Sequence, residues 1–272
     1  MTPLDPKVTL ARRELVLVAT ILVVVTRLVE RPDAFLVAGL LPVVILLAGS
    51  SVLRPGDLPG RPFESLLIPA VLTGGAAAAL HLVPAGLGLV PAVAAFAFGL
   101  DRVLMLELRL LTQASGTTDA DRARILAAAV ITAFVAFTGM AALVPGGLPE
   151  PGTTPADLGL SEAWLLVLAL DDALIALILG YRVASVRYGS ARDAIRSAVT
   201  YAIVIAVAAG ALRALDVPRL VGPAALTLVF YLWDALHATA PARRREPRFL
   251  WETILLAALA IVVVAWNLRL RA

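Results

Sequence analysis

Three places in this chain put ionisable side chains among residues that are otherwise almost wholly apolar. Asp101-Arg102 follows Ala94-Ala-Phe-Ala-Phe-Gly-Leu, and Asp171-Asp172 lies between Leu165-Leu-Val-Leu-Ala-Leu and Ala173-Leu-Ile-Ala-Leu. Asp234 follows Leu228-Val-Phe-Tyr-Leu-Trp, with His237 three residues on and therefore on the same helical face. Carboxylates in such settings can exchange protons, ligate a cation or pair with arginine across helices. A charge at bilayer depth costs at least ~2.5–3.5 kcal/mol, so each one needs a partner or a task. The Asp171-Asp172 pair is the most demanding. Adjacent helical residues point about 100° apart, so the two carboxyls do not share one partner easily. The pair therefore calls for a proton, a metal, an arginine from another helix or a water-filled cavity.

The elements that must position these groups are transmembrane helices. The 272 residues are 60% hydrophobic and only 16% charged, with mean hydropathy +0.91. A soluble domain is nearer 45–50% apolar and about 25% charged, which excludes a water-soluble globule as well as disorder. Pro, Gly and charge clusters cut the chain into nine segments of spanning length, near 13–30, 35–53, 64–82, 87–110, 122–144, 161–182, 192–214, 219–240 and 249–268. The expected fold is an all-α polytopic bundle. Thr118-x-x-Asp121 and Ser190-x-x-Asp193 read as capping boxes, and Pro247 as the first turn of the last helix. Pro42 makes the second span the weakest, and the third and fourth could instead form a re-entrant hairpin around Pro84-Ala-Gly-Leu-Gly. The run from Leu15 to Val25 after Arg12-Arg13 has no cleavage signal and reads as a retained first helix.

Basic residues set the orientation. With the N-terminus inside, sixteen fall on the cytoplasmic side, among them Lys7, Arg12, Arg109, Arg182, Arg187 and Arg243-Arg244-Arg245. Six fall outside: Arg27, Arg31, Arg213, Arg219, Arg269 and Arg271. The expectation is N-inside, C-outside. A weak self-match at an offset of about 129–133 residues lays Phe35 on Trp164, Pro91 on Pro223 and Asp101 on Asp234. It suggests a parallel tandem repeat of four helices: 1–32 as first helix, 33–145 as one unit, 146–160 as an outer loop and 161–272 as the second unit. On this topology Asp101, Asp172 and Asp234 share a level, each about 12–15 Å before the basic edge marked by Arg109, Arg182 and Arg243.

Composition removes several chemistries. There is no cysteine, hence no disulfide or thiolate chemistry, and the lone lysine, Lys7, is not placed for a retinal Schiff base. Gln113 and Asn267 are the only amides, so a pore for sugars or amino acids lacks its polar lining. The basic pI reflects loop arginines, and nucleic acid is not a partner; membrane lipid, membrane-protein partners or a second copy are. His81, Trp164, Trp251, Trp266 and Tyr181 read as interfacial residues, and Gly74-Gly75 with the alanines after it as a close-packing face. The bias toward Ala, Gly, Arg and Pro over Lys and Asn suggests a GC-rich bacterial genome and hence the inner (plasma) membrane.

Three functions remain. The first is a small proton- or cation-linked permease, or a membrane subunit of a larger complex, with Asp171 or Asp172 as the exchanging carboxylate and no cofactor. The second is a membrane-embedded enzyme on a lipid or polyprenyl-phosphate substrate, in which Asp171, Asp172, Asp234 and His237 hold a divalent metal and Arg182 or Arg187 receives phosphate. The third is a structural assembly protein whose acids, with Asp101-Arg102, set helix register.

Overall fold

The computed structural model describes residues 6–30, 33–52, 62–84, 86–112, 117–144, 147–148, 162–188, 190–214, 220–239 and 246–269. Among these the chain is helical and contains no strand. The helices are α1 (Pro6–Thr26), α2 (Asp33–Val52), the short α3 (Pro62–Ser65), α4 (Leu67–Ala79), α5 (Leu89–Thr112), α6 (Asp119–Leu143), α7 (Glu162–Arg187), α8 (Ala191–Ala214), α9 (Val221–Ala238) and α10 (Pro247–Arg269). A 3₁₀ turn, Leu80–Leu82, prolongs α4. Seven described segments are long and apolar enough to cross a membrane: Asp33–Ser51, Phe63–Leu82, Leu89–Leu111, Asp119–Leu143, Ala163–Arg187, Ala191–Ala214 and Val221–Ala238. Large apolar side chains point outward from several helices, such as Leu17 and Ile21 on α1, Leu36 and Leu40 on α2, and Trp251 and Leu255 on α10. An apolar exterior suits lipid and not water.

The local signals work as their chemistry requires. Thr118 caps α6 in a reciprocal box: its Oγ1 accepts from the Asp121 amide and the Asp121 carboxylate accepts from the Thr118 amide, both at 3.2 Å. At Ser190 only the first half forms, the Asp193 amide donating to Ser190 Oγ at 3.4 Å. Pro247 does begin the last helix. Gly86, at φ 138°, takes the left-handed backbone that the turn into α5 needs. Pro42 does not interrupt α2, which runs unbroken through it. The expected outer loop, 146–160, lies almost entirely outside the described residues, as do Arg31, Arg54, Arg61, Arg219, Arg243-Arg244-Arg245 and Arg271.

The core is α4. Every residue from Leu67 to Ala78 is buried, between α2 on one side and α6 on the other. Without a hydrophobic drive between helices in lipid, close backbone approach supplies the attraction, and that needs small residues. Gly74 and Gly75 provide it in opposite directions. A Cβ on Gly74 would stand 2.7 Å from the Ala38 carbonyl oxygen and 2.9 Å from the Pro42 ring, so the proline fills the gap that the glycine leaves. A Cβ on Gly75 would stand 2.6 Å from Ala136 Cα, and one on Gly139 would stand 2.3 Å from the Gly75 carbonyl oxygen. The second tight unit is the α7–α8 hairpin, where Gly180 lies against Tyr201, its Cβ position 2.8 Å from Tyr201 Cγ.

Gly75→Ala must therefore push α4 and α6 apart. We expect a loss of about 1–3 kcal/mol, the cost of overpacking, read as a drop of several degrees in the thermal midpoint of the detergent-solubilised protein. Gly210→Ala, with open space around its Cβ position, should leave the midpoint unchanged or slightly raised.

Candidate functional site

The helical period decides which charged residues turn inward. On α5 the buried stripe is Leu100, Leu104 and Leu108, and Glu107, seven residues after Leu100, falls on the same face. On α7 the stripe runs Leu168, Asp172, Ile175, Leu179, Arg182, and on α9 it runs Pro223, Leu226, Phe230, Asp234. On α8, Tyr201, Ile205 and Ala209 lead on to Arg213. Glu107, Asp172 and Asp234 are at most 1% exposed and Arg182 is 6% exposed, so no water is available to solvate them.

Each of these three acids meets an arginine from another helix. Glu107 on α5 accepts a forked pair of bonds from Arg182 on α7, with Nε at 3.0 and 3.1 Å from the two carboxylate oxygens and Nη2 closing on Oε2. Arg182 also donates to Ser185 Oγ at 3.1 Å. Asp172 accepts from Arg213 Nη2 of α8 at 2.6 Å. Asp234 accepts two bonds at one oxygen, from Arg187 Nη2 at the end of α7 and from the Tyr201 hydroxyl of α8, both 2.5 Å. Asp101 on α5 lies 3.1 Å from Arg12 Nε of α1, a charge contact in which that N–H is not aimed at the oxygen. Tyr181 adds a bond from α7 to Glu64 Oε1 on α3 at 2.8 Å, and the Trp233 indole donates to Thr200 Oγ1 at 3.0 Å.

These clamps correct several expectations. Asp101 and Arg102 do not pair with each other: Asp101 goes to Arg12, and the Arg102 guanidinium sits over the Phe98 ring, 4.7 Å from its centroid. His237 does not serve Asp234. Its Nδ1 faces the Trp233 carbonyl at 3.0 Å and its ring tilts against the Trp233 indole. The acids do not converge on one level. Arg187, which holds Asp234, lies fifteen residues beyond Asp172 on α7, roughly 22 Å along that helix, so the Asp234 and Asp172 pairs stand at different heights. Helix α7 extends through Arg187, five residues past the expected end of its span, because Glu107 and Asp234 neutralise the arginines of its last turns. Helix α1 starts at Pro6 and not near residue 13, and Asp101 covers its Arg12. Of the residues expected at the membrane interface, Tyr181 binds Glu64 and Trp164 stacks edge-on with Phe35 at 5.9 Å. Trp251 is exposed, and the Trp266 side chain lies outside the described residues.

One cluster is unlike the rest. Asp172 holds the Arg213 guanidinium with Asp171 next to it in the chain, and Asp171 Oδ2, Asp172 Oδ1 and Arg213 Nη1 are buried without a hydrogen-bond partner among the described residues. The Glu107–Arg182 pair, by contrast, leaves no buried polar side-chain atom without a hydrogen-bond partner. Among the described residues no three His, Cys, Asp or Glu side chains gather where they could hold a metal, and Asp172 and Asp234 are engaged by arginine. No family model, curated protein or solved structure matches this chain.

Removing one partner of a buried pair leaves the other charge stranded, at a cost of about 3–5 kcal/mol, whereas replacing both with apolar side chains is often neutral. Glu107→Gln or Arg182→Met alone should lower the thermal midpoint sharply, and Glu107→Leu combined with Arg182→Met should recover most of the loss. The same readout in a double-mutant cycle gives the coupling.

Proposed function

We propose that this chain is a nine-span protein of a bacterial plasma membrane, N-terminus inside and C-terminus outside, that passes protons or small cations through the Asp171–Asp172–Arg213 cluster. One observation carries the reading: here alone among the described ion pairs, buried polar atoms on both partners and on the adjoining acid lack a hydrogen-bond partner among the described residues. Asp172 holds the arginine, which leaves Asp171 as the group that exchanges. The scarcity of amides keeps the cargo small and ionic. The nine-span topology counts α1 and α10 with the seven spans above, and the excess of arginine on one side supports the orientation. The Phe35–Trp164 stack, between residues matched in the internal alignment, is in keeping with a tandem repeat whose copies meet at their axis. Membrane lipid and other membrane helices are the partners; no cofactor enters.

A second reading, structural assembly, draws on the other three described interhelical acid–arginine pairs, each of which ties two helices together. The two separate in proteoliposomes with an internal pH dye and an imposed potassium diffusion potential. We expect a proton flux above that of empty vesicles, and Asp171→Asn should return it to the empty-vesicle level while keeping the thermal midpoint. A wild-type flux equal to empty vesicles, or a flux indifferent to Asp171→Asn, would overturn the transport reading and leave the structural one.

A further inference from the structure

Arg102 is the intramembrane charge that the clamps leave over. It lies mid-helix on α5, its side chain is exposed, and no carboxylate is within ion-pair reach among the described residues; its guanidinium rests on Phe98. Beside it a cavity of about 590 Å³ opens sideways between α5 and α6, floored by α4. Its walls are nearly all carbon, including Ala76, Phe96, Gly99 and Ile131, and two cations line it: Arg102 and Arg124. The space exists because α5 and α6, though consecutive, pack loosely along their length, while α4 and α6 are locked together by Gly75 and Gly139. Gly99 shows the room directly, since a Cβ there would meet nothing within 4 Å.

A cavity that opens into a bilayer fills with hydrocarbon. A lipid chain gains little from entering, because it leaves an equally apolar medium. Selection must therefore come from the charged end. Among the described residues Arg102 carries a cation at membrane depth without a counter-ion, and the acid that Arg124 meets is Asp121, at 3.5 Å and already committed to the Thr118 cap. Arg102 precedes the end of α5 by ten residues and Arg124 follows the start of the antiparallel α6 by five. At 1.5 Å per residue the two lie roughly 7–8 Å apart in height on one groove. Guanidinium groups so placed match a phosphate, which takes forked hydrogen bonds from arginine and outbids the aromatic face of Phe98. We propose that the α4–α5–α6 groove binds an anionic phospholipid, one acyl chain between α5 and α6 and its phosphate held by Arg102 and Arg124. This site is separate from Asp171–Asp172–Arg213.

The test compares phosphatidylglycerol with phosphatidylcholine of identical chains, added to the delipidated full-length protein in detergent and read by native mass spectrometry and thermal shift. We expect phosphatidylglycerol to be retained about thirtyfold better, from roughly 1 kcal/mol for each of the two arginines. Arg102→Gln with Arg124→Gln should bring the two lipids level, and Gly99→Leu, which blocks the chain without a clash, should reduce retention of both while the lipid-free thermal midpoint holds. Arg248→Gln, at an 88% exposed arginine, is the control and should change nothing. Equal retention of both lipids by the wild type, or a preference that survives the double substitution, overturns the proposal. Competition by millimolar inorganic phosphate that leaves chain-length dependence absent would also overturn it, by making the site one for a free anion.

Discussion

The fold rests on arginine meeting carboxylate between helices, where no water can substitute for either. In an aqueous core an ion pair competes with well-packed apolar residues and often loses. In lipid, apolar contact brings little net gain, and a stranded charge is heavily penalised, so a correct pair outweighs every misplaced alternative. Four such pairs link α1 to α5, α5 to α7, α7 to α8 and α7 to α9. Helix α7 contributes Asp172, Arg182 and Arg187, and so belongs to three of them. The α5–α7 and α7–α9 pairs join helices that scarcely pack backbone to backbone, and the length of the arginine side chain spans the gap. Close packing by glycine holds α2, α4 and α6 and draws α7 to α8; charge pairing ties α1 to α5 and α7 to α5, α8 and α9.

This division explains the composition. Of the 23 basic residues all but Lys7 are arginines. A planar guanidinium can bond both oxygens of a carboxylate, as Arg182 does with Glu107, and still donate to Ser185. An ammonium offers neither the reach nor the fork. It also sets Asp171 apart, because no arginine forks onto it and its buried Oδ2 has no hydrogen-bond partner among the described residues. Arg102 is its counterpart, a cation in excess of the clamps beside an apolar groove.

Much of the framework was legible in the chain itself. Seven of the nine expected spanning segments, the Thr118 cap, Pro247 at a helix start and the small-residue face at Gly74-Gly75 follow from hydropathy, side-chain hydrogen bonding and size, all of which are local. The partners of the acids were not. Arg213 and Arg187 look like loop charges when counted by sequence distance from a span end, and Glu107 in Glu107-Leu-Arg109 looks like the start of a polar edge. Their inward phase was available, since Glu107 continues the Leu100–Leu104 stripe and Arg213 continues Tyr201–Ile205–Ala209. Which arginine meets which acid was not, because pairing across helices depends on tilt and order, which no single helix encodes. The expectation that Asp101, Asp172 and Asp234 share a level failed for that reason: it counted residues to an assumed edge, and helices with paired charges continue past such edges.

The natural absence of cysteine allows the pairing scheme to be read directly in native membranes. Paired substitutions Arg12→Cys with Asp101→Cys, Glu107→Cys with Arg182→Cys, Asp172→Cys with Arg213→Cys, and Arg187→Cys with Asp234→Cys should each be joined by a short bis-maleimide. The mismatched pairs Asp101→Cys with Asp234→Cys and Asp172→Cys with Asp234→Cys should not. Efficient linkage of the acids to one another, with none to their arginines, would contradict the clamped bundle and place the carboxylates around a common centre.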